Sequence, residues 1–182
     1  MRAEARLTEL GLELPSAPTP MGSYVTAARS GNLLFLSGHG PLRDGRVVYR
    51  GRVGRDLTLQ QGQEAARLTG LNLLASTRSA LGSLDRVRRV VKALGMVQCT
   101  EDFVDHPKVI NGFSDLMVEV FGDAGRHARS AVGMSSLPFG IAVEIEMVLE
   151  VSGTTTTRGN APRRTSRPRP PRPARPPRGR RR

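Results

Sequence analysis

Residues 143–150, VEIEMVLE, set Val143, Ile145, Met147 and Leu149 against Glu144, Glu146, Val148 and Glu150. Side chains on a strand point to alternate faces, so the segment reads as a strand with one apolar side and one mostly acidic side. Such a strand needs a packed layer over its apolar side and water or protein over the other. Fifteen residues earlier, Arg129 heads a second candidate strand. Placed on adjacent strands, Arg129 and Glu144 would make a small polar pocket. There the arginine holds a carboxylate and the glutamate manages a proton or a water.

The net charge of +12 points first to nucleic acid. Its distribution points elsewhere. Residues 152–182 hold eleven arginines, no acid and seven of the thirteen prolines, which leaves seventeen basic and sixteen acidic residues in 1–151. The basicity belongs to an appendage with almost no apolar content, expected to be disordered with extended proline-rich stretches. Its functional reading is weak, nonspecific polyanion contact through residues 158–182; its bland reading is an extension without a selected role. Residues 1–151 suffice for one domain with a real core. The sequence has no apolar run long enough to span a membrane and no signal-peptide centre near its start. One cysteine, Cys99, forms no internal disulfide and fits a reducing, cytoplasmic setting, as a buried thiol rather than a nucleophile.

The first nineteen residues read as a short amphipathic helix and a proline-rich connector. Tyr24–Arg29 and Leu33–Ser37 form a hairpin around Ser30-Gly31-Asn32, and Asp44-Gly45 turns into a short strand at Val47–Tyr49. Thr58 and Gln61 have capping-box spacing, opening a helix that runs to Leu81 before Gly82. Residues 88–103 are mostly strand, with Val91, Ala93, Gly95 and Val97 on one side. Pro107 opens a second helix whose Val109, Ile110, Phe113, Leu116, Met117 and Val120 form an apolar stripe. The order β-β-β-α-β-α-β-β predicts an α+β domain, both helices on one face of a mainly antiparallel sheet. The other sheet face is left for water or another subunit.

Six ordered blocks now carry a resemblance: GSYV at 22–25, FLSGHGP at 35–41, KVIN at 108–111, ARS at 128–130, LP at 137–138 and VEIE at 143–146. Residues 20–151 resemble the RidA family, also called YjgF or L-PSP endoribonuclease-like proteins. The resemblance implies a chorismate-mutase-like fold and a homotrimeric barrel with clefts between subunits. It also implies cofactor-free hydrolysis of 2-imino acids or their enamines to 2-keto acids and ammonia, without a metal. Arg129 matches the family's carboxylate-binding arginine, against the alternative of a structural ion pair. Glu144 matches its pocket glutamate, against a solvated or interface-paired carboxylate. Tyr24, Ser37, Gly38 and Asn111 match residues lining the cleft; packing, turn or capping roles are their alternatives. Glu146, on the same face as Glu144, is expected deeper in the barrel.

The chain departs from the family pattern at His39, where many members have glutamine, and at Ala131, where many deaminases have cysteine. His39 is either a titratable group at the cleft mouth or a hydrogen-bonded neighbour. Besides a deaminase, two other functions fit: a non-catalytic module sensing a small carboxylate, and an endoribonuclease. His39, His106, His127 and Cys99 lack metal-ligand spacing, and no phosphate-binding glycine loop is present.

Overall fold

The computed structural model describes residues 2–20 and 22–153, so the Arg/Pro-rich tail lies outside the described residues from 154 onward. In chain order the elements are α1 (Ala3–Glu9), β1 (Ala27–Ser30), β2 (Leu33–His39), β3 (Leu42–Arg43) and β4 (Arg46–Val47). They continue with α2 (Leu59–Leu81), β5 (Val87–Gln98), α3 (His106–Phe121), β6 (Ala128–Met134) and β7 (Val143–Val151). Short 3-10 turns at Leu84–Arg86, Gly122–Gly125 and Pro138–Gly140 join them.

The local signals act as expected where the chemistry is local. Thr58 and Gln61 cap α2 reciprocally: Gln61 N–H donates to the Thr58 hydroxyl at 3.2 Å, and Thr58 N–H to the Gln61 side chain at 2.9 Å. Gly82 ends the helix with φ of 82°, a left-handed conformation that costs glycine little. The α3 stripe from Val109 to Val120 is buried throughout. α2 and α3 approach closely at Gly112, where a Cβ would stand 2.0 Å from the Gln63 carbonyl oxygen. α1 joins the same core through Ala3 and Leu7.

The five-stranded sheet runs β1-β2-β7-β5-β6, and β3 with β4 forms a separate ribbon over Asp44 and Gly45, both at positive φ. Every pairing is antiparallel except β5 with β6, which the intervening α3 crossover makes parallel. Leu34, Leu36, Val90, Ala93, Val97, Ile145, Met147 and Leu149 are buried on the helix side of the sheet. The opposite face is open and carries exposed Phe35 and Val132 beside the half-buried Leu94, Met96 and Val148.

Several expected boundaries move. β1 begins at Ala27, leaving Tyr24 in the bend before it, and the strand expected over 88–103 ends at Gln98. The strand expected at Val47–Tyr49 is β4, one residue earlier, while Arg50 bridges to Ile141. A register shift between Val90 and Lys92 breaks the alternation of β5, so Val90 rather than Val91 turns into the core.

Candidate functional site

The site begins at an irregularity in β2. Leu36 pairs with Met147 and His39 with Ile145, so β2 spends one residue more than β7 over this stretch. This bulge lets Leu36 and His39 both face the interior and lifts Ser37 and Gly38 out of the regular ladder. Glu144 occupies the space over Gly38: a Cβ added there would sit 1.9 Å from its Oε1. The Glu144 carboxylate is half-buried and accepts no hydrogen bond among the described residues. Burial, and secondarily the charge of Glu146, push its pKa above the usual carboxylate range.

A cavity of about 570 Å³ opens beside this carboxylate. Tyr24, Ser37, Gly38 and His39 line it with Glu144. The Ser37 hydroxyl donates to the Val25 carbonyl at 2.7 Å and its N–H to Thr26 at 3.0 Å, which ties the Tyr24 loop to the bulge. His39 has no free ring nitrogen. Nδ1 donates to the Ser37 carbonyl at 2.6 Å, and Nε2 accepts from the Ser76 hydroxyl at 2.7 Å. With burial depressing its pKa, His39 stays neutral and braces the bulge from below.

Arg129 lies elsewhere. Its guanidinium donates to the Ser114 hydroxyl at 2.9 Å, the Asn111 Oδ1 at 2.8 Å and the Pro107 carbonyl at 3.1 Å, all on α3. These acceptors are neutral, and Arg129 has no ion pair among the described residues. His127 extends the support: Nδ1 donates to Gly125 at 2.7 Å and Nε2 accepts from Ser114 at 3.2 Å, leaving the serine oxygen for Arg129. Asn111 therefore orients the arginine. Three bonds leave two of the five guanidinium N–H groups for a ligand, and the positive charge is uncompensated.

The expected pocket of Arg129 and Glu144 on neighbouring strands is not formed within the chain. β5 lies between β6 and β7, because the parallel crossover places β6 on the far side of β5. Arg129 pairs with Ala93 and points toward α3, whereas Glu144 pairs with Met96 on the open face. Two strand spacings and three residues of rise put their backbones about 14 Å apart. The predicted residues thus form two half-sites: Tyr24, Ser37, Gly38 and Glu144 in one, Arg129 and Asn111 in the other.

Sequence reasoning missed Ser114 and His127, although the i, i+3 spacing of Asn111 and Ser114 opposite the α3 apolar stripe was a usable signal. It also missed Arg46, Arg50 and Phe139, which line the Glu144 cavity. Phe139 holds a left-handed φ of 57° within the Pro138–Gly140 turn, a conformation costing a bulky residue about 1–3 kcal/mol. Cys99 is buried, with its thiol 3.3 Å from His106 Nε2 and its pKa raised by burial. Among the described residues, no three His, Cys, Asp or Glu side chains could together hold a metal ion.

Glu144 on its bulge and Arg129 on its neutral cradle lie within residues 4–150, which match the family model described as "YjgF/chorismate mutase-like, putative endoribonuclease". The chain belongs to this family. Protein TCP17 of Trypanosoma cruzi is 43% identical over 152 residues, covering 83% of this chain and 95% of the relative. The YjgF fold is also seen in Atu1372 of Agrobacterium tumefaciens, a protein of unknown function, at 46% identity and a TM-score of 0.77 over 82% of this chain and 92% of that one. A "putative endoribonuclease" from Shewanella oneidensis superposes at 0.80 with 33% identity, over 83% of this chain and all of its own. The match to the YjgF model begins at residue 4, so the N-terminal helix lies within the family's span. Among the described residues no helix is long and apolar enough to cross a membrane.

Proposed function

We propose that the protein is a cytoplasmic, cofactor-free deaminase that hydrolyses 2-imino acids to 2-keto acids and ammonia in clefts between the subunits of a homotrimer. The observation that carries this reading is the pair of complementary half-sites. One presents a cation on neutral supports; the other presents an unpaired, half-buried carboxylate at a cavity. The open sheet face, with Phe35 and Val132 exposed, supports a neighbouring copy as its cover, and the same packing would join one subunit's Arg129 to another's Glu144.

In such a cleft the planar fork of Arg129 pairs with the substrate carboxylate and fixes C2. Ionised Glu144 takes a proton from a water as its oxygen bonds to C2 of the protonated imine, giving a carbinolamine. The same proton passes to the amine nitrogen. As the C–N bond breaks, Glu144, ionised again, takes the hydroxyl proton and the C2 carbonyl forms, releasing the keto acid and ammonia. The proton on Glu144 then passes to the ammonia or to water. A pKa above the usual carboxylate range suits a group that must both accept and return a proton.

The test generates the imine in situ with an amino-acid oxidase and follows its loss with wild type, Arg129→Ala and Glu144→Gln. Faster loss with wild type alone supports the reading, and equal rates in all three refute it. The name of the Shewanella structure makes RNA cleavage the competing reading. Residues 1–151 are nearly charge-neutral, and His39 and His127 have both ring nitrogens engaged, so neither half-site supplies a basic groove with a free imidazole.

A further inference from the structure

The cavity beside Glu144 is larger than a three-carbon imino acid fills, and part of its lining has a chemistry that deamination of small imines does not use. At about 570 Å³ it falls in the range of small-molecule pockets. Arg46 from β4 and Arg50 from the segment bridged to Ile141 both line it. Neither side chain makes an ion pair or hydrogen bond among the described residues. Two exposed cations four residues apart, lining one cavity and left unneutralised, form an anion-binding wall.

That wall is separate from the reacting end. Neither guanidinium comes within 4.0 Å of the Glu144 carboxylate, although all three residues line one cavity. Phe139, whose left-handed backbone leaves it largely exposed, also lines the cavity. A ligand crossing the cavity would meet a carboxylate, an apolar wall and two guanidinium groups. We propose that Arg46 and Arg50 select 2-imino acids whose side chain ends in a second carboxylate. The methylenes of that side chain pass over Phe139. This specificity rests on the deaminase reading for its substrate, while its binding component can be measured independently.

2-Oxoglutarate and 2-oxopentanoate have the same carbon count and differ in a terminal carboxylate against a methyl group, which makes them the probes. Calorimetric titration of the full chain at low salt is expected to show the diacid binding about tenfold tighter. The preference should collapse toward unity in the Arg46→Gln/Arg50→Gln double variant and persist in Arg50→Lys, which keeps the charge. Equal affinity in wild type, binding of neither ligand, or a preference that survives the double variant would overturn the proposal. Turnover of the corresponding imines, made from glutamate and norvaline, separates the two readings. A binding preference without hydrolysis removes the deaminase and leaves the selection of diacids standing. Hydrolysis of both imines at equal efficiency, with no binding preference, does the reverse.

Discussion

At Gly38 a hydrogen stands where any other residue would put a carbon 1.9 Å from the Glu144 Oε1. The blocking atoms belong to a half-exposed side chain, so Gly38→Ala should fold and simply rotate the carboxylate away. Turnover is expected to fall about 100-fold, as for other lost acid–base groups, with only a small change in melting temperature. Glu144 itself carries a stability cost. Its pKa is higher folded than unfolded, so the native state binds more protons between the two values, and stability falls as pH rises through that window. Glu144→Gln should therefore melt higher than wild type at neutral pH while losing activity. Glu146→Gln removes the neighbouring negative charge, which lowers the Glu144 pKa. The acid limb of kcat/KM against pH should move to lower pH; a limb that stays put assigns it to another group.

At the scale of elements, the interfaces between helices are tight enough to be read from single atoms. Gly112→Ala would drive a methyl to 2.0 Å of the Gln63 backbone oxygen, which cannot rotate aside. The variant should lose about 2–3 kcal/mol, seen as a lower urea midpoint with an unchanged slope. Elements of this kind were legible in the sequence because their signals are local: the Thr58–Gln61 cap, the α3 stripe, the alternation of β7. Two things were not. The order of β7, β5 and β6 depends on a crossover whose pairing partner is remote in sequence, so Arg129 and Glu144 looked like neighbours and are not. The bulges in β2 and β5 depend on tertiary packing, so neither the exposure of Ser37-Gly38 nor the inward turn of Val90 could be read from residue types alone. The blocks around Arg129 and Glu144 drew attention to those two residues, whereas Arg46 and Arg50 stand out only because the fold places them at a cavity built from distant segments.

The division into half-sites makes a prediction for the molecule as a whole. If each cleft takes Arg129 from one subunit and Glu144 from another, two inactive variants should rescue each other. Unfolding and refolding an equal mixture of Arg129→Ala and Glu144→Gln chains should restore about a quarter of wild-type activity, since each intact cleft needs one sound half from either parent. Activity no higher than in the separate variants would show that no cleft is shared. The wide separation of Arg129 and Glu144 on opposite faces of one sheet then has a consequence for behaviour under dilution. In the proposed trimer a lone chain would hold every required side chain yet have no place to react, and an open pair would hold one working cleft against three in a closed ring. Specific activity per chain would rise with protein concentration until the ring is complete, so the concentration at which this catalyst is stored would itself set how much of it is switched on.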